Sequence, residues 1–136
     1  MAYRVFVSHG WHDRWIAKQM ARLISDVGAR PFIDIFDIKS GDRIEGKIQL
    51  GLGEANELVA LLTPWSVDRN WVWIEIAAAW ALHKRYVGVL YGLTTSEIEK
   101  DRGGMAILAS TNVVAIDDFD DHIHELKERI EASDSK

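Results

Sequence analysis

The segment Glu57-Leu-Val-Ala-Leu-Leu-Thr63 decides the predicted fold, because it is a short and nearly unbroken apolar run that Pro64 ends. A strand that is buried on both faces of a parallel sheet has this composition, whereas a strand with one face in water alternates apolar and polar residues. The segment is therefore expected at the centre of a parallel sheet. The sequence on either side supplies the elements around it.

Strands and helices alternate before the central segment. β-branched and aromatic residues predict strands at 3–8 and 30–36, and the spacing of apolar residues between them predicts a helix with Asp13 as its N-cap and Gly28 at its end. A second helix is predicted at about 42–52. The apolar residues that are expected to form the buried face of the first helix are Trp15, Ile16, Met20, Leu23, Ile24 and Val27.

The alternation continues after the central segment. The sequence predicts a helix over 70–84, a strand over 86–91, a polar loop with one helical turn over 94–104, a strand over 112–116 and a final helix from Phe119. Short connections and strict alternation imply right-handed crossovers. The predicted fold is therefore an α/β flavodoxin-like domain with a five-stranded parallel sheet, in the order 2-1-3-4-5, and helices on both faces.

Composition limits the functions that are open to this chain. Its 136 residues, 48% of them hydrophobic and 27% charged, predict one globular domain over 1–132 with a polar tail at 133–136. The net charge of -5 argues against a nucleic acid as the main partner. The absence of cysteine excludes disulfides and thiolate chemistry, and the longest apolar run, Ile76–Leu82, is too short to span a membrane. We expect a soluble protein in the cytoplasm.

The ligand of such a sheet is expected at the carboxyl ends of the first and third strands, where the strand order reverses. No phosphate-binding loop is present, and Gly51-Leu-Gly53 precedes a strand instead of following one. A phospho-receiver domain would need acidic residues where Ser8-His9 and Thr63-Pro64 stand. The closest histidine pair, His122 and His124, would point to different helix faces, so no metal site is predicted.

One motif near this crevice combines an aromatic ring with a carboxylate. In Trp71-Val-Trp-Ile-Glu75, the first and last residues share a helix face about 6 Å apart along the axis, so both can meet one ligand. The alternative interpretation is an amphipathic helix with a packed tryptophan and a solvated glutamate. We expect Glu75 to be exposed in either case, and we assign Trp65, Trp73 and Trp80 to packing.

Five segments in the same order resemble the boxes of the Toll/interleukin-1 receptor (TIR) domain family. Each lies on the element where the family has it, and the likeness extends from Tyr3 to about Tyr91. The segments are Tyr3-Arg-Val-Phe-Val-Ser8 with His9 in place of the usual Tyr, Asp13 with Trp15, the loop Asp37–Arg43, Leu61-Leu-Thr-Pro64, and Trp71–Glu75 as a Trp-x-x-x-Glu motif.

The resemblance implies a function and a set of site residues. Catalytic members of the family cleave NAD+ at the nicotinamide–ribose bond with the glutamate of that motif, which is Glu75 here. The residues that the resemblance places against the substrate are Phe6, Ser8, His9, Asp37, Gly41, Arg43 and Trp71. Lys39 is interpreted as a solvated loop charge. NAD+ would be the substrate, and no separate cofactor or metal is implied.

Two other functions stay open at this point. Some family members are non-catalytic scaffolds that signal by TIR–TIR assembly, and here the loop Asp37–Arg43 would make that contact. A nucleoside deoxyribosyltransferase-like enzyme has a related sheet and a glutamate on a comparable helix. For the leading interpretation, the sequence does not decide between ADP-ribose and a cyclic ADP-ribose as the product. The resemblance is to bacterial members, which implies a role in anti-phage defence.

Overall fold

The protein is described here by a computed structural model that covers residues 2–33, 52–67, 70–102 and 112–134. Five strands form one parallel sheet in the predicted order 2-1-3-4-5. The strands are β1 (Arg4–Ser8), β2 (Arg30–Ile33), β3 (Glu57–Leu62), β4 (Arg85–Leu90) and β5 (Val113–Ala115). The helices are α1 (Arg14–Asp26), α2 (Asn70–Ala81), α3 (Thr95–Arg102) and α4 (Phe119–Asp134). The fold prediction is confirmed.

The central position of β3 is confirmed as well. All six of its residues are buried, and it pairs with β1 on one side and β4 on the other. Its side chains alternate between two core layers, with Val59 and Leu61 packed on the α1 and α4 side and Leu58, Ala60 and Leu62 on the α2 and α3 side. The predicted helix at 42–52 lies outside the described residues, except for a helical end at 52–54.

The predicted buried face of α1 is partly confirmed, because Met20 and Ile24 are buried and Ile16 and Val27 pack against the core. Trp15 is 69% exposed and Leu23 is also exposed. The residues that face the sheet are Ala17, Met20, Ala21 and Ile24. Two of them are alanines, whose small side chains let the helix pack close to the sheet. Large side chains such as Trp15 are therefore not needed on this face. Gly28 follows the helix with a φ of 98°, as expected for a left-handed helix end.

The predicted N-cap position of Asp13 is confirmed, but its side chain does not cap the helix. It is buried, and its carboxylate is bound by the hydroxyl of Thr63 beyond the end of β3. The Asp13 side chain therefore links two loops instead of accepting hydrogen bonds from the backbone N–H groups of α1.

A buried polar cluster holds the amino end of the sheet. Glu57, at the start of β3, is 1% exposed. It accepts a 2.5 Å hydrogen bond from the Tyr3 hydroxyl and bonds of 3.0 and 2.8 Å from the Arg129 guanidinium of α4. Burial, together with the hydrogen bond to the Glu57 carboxylate, raises the pKa of Tyr3 to about 12. The cluster attaches the last helix to the central strand.

None of the helices within the described ranges is long and apolar enough to cross a membrane.

α3 begins at Thr95, in a segment that the sequence predicts to be mostly loop. At its start, the Thr94 hydroxyl accepts a hydrogen bond from the backbone N–H of Glu97. The final helix continues to Asp134.

Candidate active site

Ser8 and Glu75 meet at the carboxyl ends of the central strands. Ser8 is the last residue of β1 and pairs in register with Ala60 of β3, while Glu75 lies in the second turn of α2. The Ser8 hydroxyl Oγ donates a 3.2 Å hydrogen bond to Glu75 Oε1. Both side chains are buried, with exposures of 1% and 0%. A buried carboxylate held by a hydroxyl therefore lies at the carboxyl ends of β1 and β3, where the strand order reverses.

The inward orientation of Glu75 follows from the sequence of α2. Val72, three residues before Glu75, and Ala79, four residues after it, are both buried and share its helix face. Glu75 is thus part of the face that packs on the sheet. The expectation that Glu75 would be exposed is wrong. Its side chain lies on the apolar face of α2, and that face is buried against the sheet.

The other predicted contacts of the substrate are distributed unevenly. Trp71 is half-buried one turn before Glu75, and His9 is buried directly after Ser8. Phe6 lies on the same face of β1 as Ser8 but is fully buried, with its ring centroid 5.4 Å from that of Phe32. Phe32 is 47% exposed and is an aromatic ring near this face that sequence analysis did not select.

The remaining predicted site residues belong to the segment between β2 and β3. Asp37, Gly41 and Arg43 lie outside the described residues, and so does Lys39, which is interpreted as a solvated charge. The part of Asp37, Gly41 and Arg43 in the site stays a prediction.

The three tryptophans assigned to packing have different surroundings. Trp73 is 2% exposed and its indole Nε1 donates a 2.9 Å bond to the carbonyl of Val67, which confirms a packing role. Trp65 and Trp80 are 55% and 60% exposed, so the same assignment is wrong for them. Trp65 follows Pro64 in the turn after β3, where its ring contacts His12 edge-on, and Trp80 lies in the last turn of α2.

A second buried network beside the pair was missed by sequence analysis. The Thr63 hydroxyl donates a 2.6 Å bond to Asp13 Oδ2, and the Ser66 backbone N–H donates to the Thr63 hydroxyl oxygen at 3.1 Å. The Ser66 hydroxyl in turn donates to the carbonyl of Leu61. A threonine and a serine around Pro64 are typical of a side-chain-stabilised turn, which is the signal that could have indicated this network.

The structure gives no sign of a metal centre in the ranges that it covers. No cluster of three or more potential ligands occurs among the described side chains. His122 is buried beside Glu57, whereas His124 is exposed and faces Glu128, as their spacing predicts.

The arrangement of Ser8 and Glu75 suits chemistry in which positive charge develops. A buried carboxylate acts more strongly on such charge than an exposed one, because little water screens it. It can also accept the proton of an attacking hydroxyl group. The Ser8 hydroxyl fixes one carboxylate oxygen, so the carboxylate is held in place before a substrate arrives.

Comparison with known proteins identifies a family and two relatives with the same named function. A family model described as TIR domain matches residues 5–131. A 2′ cyclic ADP-D-ribose synthase of Bacteroides thetaiotaomicron is 27% identical over 91% of this chain and 46% of its own length. A probable 2′ cyclic ADP-D-ribose synthase of Brachypodium distachyon is 26% identical over 71% of this chain and 44% of its own length.

The fold has counterparts among solved structures. The TIR domains of the activated Roq1 resistosome, which recognises the pathogen effector XopQ, align with a TM-score of 0.61 and 22% identity over 93% of this chain and 80% of theirs. The present chain spans about half the length of the curated relatives that it matches, with 46% and 44% of those proteins covered.

Proposed function

Because this chain belongs to the TIR domain family, we propose that it cleaves NAD+ at the bond between nicotinamide and ribose. The observation that carries the proposal is the buried pair of Ser8 and Glu75 at the strand-order reversal. The names of the two curated relatives support the substrate, since a cyclic ADP-ribose is NAD+ without its nicotinamide.

In the proposed reaction, the bond from the ribose C1 atom to the nicotinamide nitrogen breaks and its electron pair leaves with neutral nicotinamide. The ribose becomes oxocarbenium-like, and the carboxylate of Glu75 stabilises this charge, as carboxylates do in glycoside hydrolysis. A nucleophile then bonds to C1 and gives its proton to Glu75. If the nucleophile is water, the product is ADP-ribose. If it belongs to the adenosine part of the same molecule, the product is cyclic.

The relatives' names favour a cyclic product for this chain as well. We propose that Trp71, half-buried one turn before Glu75, contributes an aromatic surface for a ring of the substrate. Asp37, Gly41 and Arg43 would complete the site from the loop after β2. A cytoplasmic role in bacterial anti-phage defence is consistent with the family and belongs to this proposal.

We also propose that the domain works as an assembly of several copies, with the loop 37–43 at the contact. Support comes from the fold that it shares with the TIR domains of the activated Roq1 resistosome. A neighbouring copy could contribute residues that complete the site of a single small domain. Assembly would also bring the activity under the control of local concentration.

The decisive experiment compares two glutamate variants. The purified chain at high concentration is incubated with NAD+, and the products are identified by chromatography and mass spectrometry. Glu75→Gln should lower turnover about 100-fold or more, because the stabilising charge is lost. Glu97→Gln, an exposed glutamate on α3, is the matched control and should retain full turnover.

Three results would contradict the proposal. Full turnover by Glu75→Gln would exclude the carboxylate mechanism. Absence of any NAD+ cleavage by the wild-type chain across concentrations would favour the non-catalytic assembly module. Turnover of deoxynucleosides, with NAD+ left intact, would favour the deoxyribosyltransferase-like alternative.

A further inference from the structure

The network of Asp13, Thr63 and Ser66 lies at the same end of the sheet as the pair of Ser8 and Glu75. All five side chains are at most 2% exposed. Asp13 follows β1 and Thr63 follows β3, so the bond between them joins the two loops that begin at the site. The proposed reaction uses none of these three network residues.

The geometry of the first loop shows how closely it is held. After Ser8 the chain passes through the buried residues His9 and Gly10 into a turn at 11–13. The Asp13 backbone N–H donates to the carbonyl of Gly10, and a Cβ built on Gly10 would lie 3.4 Å from the Cβ of Ser66. The loop after β1 therefore rests directly on the turn after β3.

The turn after β3 is in turn attached to the helix that carries Glu75. The Val67 backbone N–H donates to the carbonyl of Thr63 at 2.9 Å, and the Val67 carbonyl accepts the Trp73 indole N–H at 2.9 Å. Trp73 precedes Glu75 by two residues in the same helix. Hydrogen bonds and short chain segments thus form a closed circuit from Ser8 through Asp13, Thr63 and α2 back to Ser8.

We propose that Asp13 is a positioning residue for the Ser8–Glu75 pair, acting through Thr63 and the turn that follows β3. Asp13 stands at the N-cap of α1 but gives its carboxylate to Thr63 instead of to the helix. An N-cap residue used only for stability would accept bonds from its own helix. Because Asp13 lies within this circuit, loss of its carboxylate would free the loop after β1 from its attachment to α2. The catalytic consequence of this inference rests on the proposed NAD+ cleavage, but the geometric consequence does not.

The test uses three variants and a matched control. Asp13→Ala removes the acceptor, Thr63→Val removes the donor with little change in shape, and Asp13→Asn keeps an oxygen that can accept from Thr63. Tyr3→Phe is the control, because it removes a buried hydrogen bond to Glu57 at the opposite end of the sheet. Crystal structures, turnover, KM and the ratio of cyclic to linear product are measured for each protein.

We expect Asp13→Ala and Thr63→Val to lose the 3.2 Å contact between Ser8 and Glu75. Their kcat should fall about tenfold to 100-fold with KM changed much less, and their product ratio should shift, because misplacement of the carboxylate affects the reacting geometry. Asp13→Asn should recover most of the wild-type kcat and most of the wild-type product ratio. Tyr3→Phe should lower the thermal midpoint only.

The product ratio does not depend on how much of the sample is folded, so a purely structural role would leave it unchanged. An intact Ser8–Glu75 contact in both Asp13→Ala and Thr63→Val would overturn the inference. An unchanged ratio of cyclic to linear product in both variants would overturn it as well. If Asp13→Ala does not fold, Thr63→Val decides. If the wild-type chain cleaves no NAD+ while the contact is lost in the variants, the proposed function fails and the positioning role stands.

Discussion

At the residue scale, Trp71 and Trp73 are two positions apart on α2 but occupy different surroundings. Trp73 is 2% exposed and hydrogen-bonded to a backbone carbonyl, whereas Trp71 is half-buried on the side of the helix that leads to Glu75. The pair therefore places a packing residue and a proposed substrate-binding residue within one helical turn.

Trp73→Ala should lower the free energy of unfolding by about 3 to 5 kcal/mol, because it empties a filled core position. Trp71→Ala should lower the free energy of unfolding much less than Trp73→Ala does. It should lower NAD+ turnover per folded molecule more than Trp73→Ala does. Chemical denaturation and turnover are measured on both. A loss above about 3 kcal/mol for Trp71→Ala with normal turnover of the folded fraction would refute its place in the site.

His122 gives the chain a stability that depends on pH. Burial against the Phe119 ring lowers the pKa of His122 below its usual value, and the nearby Glu57 carboxylate only partly opposes this. The unfolded chain therefore takes up the proton first. The contribution to stability is fully present above about pH 6.5 and is lost as the pH falls from there through the lower pKa of the folded state.

His122→Phe should flatten this acid dependence, since phenylalanine keeps a ring against Phe119 and binds no proton. His124→Phe, at an exposed position of the same helix, is the control and should leave the slope unchanged. The measurement is the thermal midpoint between about pH 7 and pH 5. Equal slopes for wild type and His122→Phe would show that another group controls the acid limb.

At the element scale, the sequence predicts strands better than it predicts helix faces. The unbroken apolar run of β3 identifies the central strand, because few other environments suit such a run. On α1, Met20 and Ile24 are buried as predicted, whereas Trp15 and Leu23 are exposed, because the small residues Ala17 and Ala21 complete the buried face. The pairing of Ser8 with Glu75 spans 67 positions in sequence, and no local pattern encodes it.

The attachment of α4 to β3 provides a test at this scale. Arg129→Met should lower the free energy of unfolding by about 3 to 5 kcal/mol, because it leaves the buried Glu57 carboxylate without its cation. Arg4→Met breaks the exposed pair with Glu54 and should cost at most about 1 kcal/mol. Urea denaturation followed by tryptophan fluorescence measures both.

The double variant Arg129→Met with Glu57→Gln should recover part of the loss, since it removes the unpaired charge as well. Equal losses for the single and the double variant would indicate that packing of the arginine, and not its charge, attaches the helix.

At the scale of the whole molecule, the two buried polar clusters occupy opposite ends of β3. Glu57 and Arg129 lie at the amino end, while Thr63 and the Ser8–Glu75 pair lie at the carboxyl end. The side chains that hold the last helix are therefore separate from those that are proposed to act on NAD+.

The proposed assembly predicts a concentration dependence. NAD+ turnover per molecule should rise as protein concentration increases over about a hundredfold range, because each added copy shifts the equilibrium towards the assembled form. Light scattering on the same samples measures the mass. Constant turnover per molecule with a monomeric mass throughout would contradict assembly as a requirement for activity.

The separation of the two clusters along β3 has a consequence for protein engineering. Replacing Glu57, Arg129 and Tyr3 together with apolar residues of similar volume would exchange a costly desolvated ion pair for hydrophobic packing, a change that often raises thermal tolerance. Because that end of the sheet is remote from Glu75, heat-resistant variants could be selected there without compromising turnover. Such variants would tolerate otherwise disruptive substitutions around the crevice, and so provide a starting scaffold for directed evolution of new nucleotide specificities.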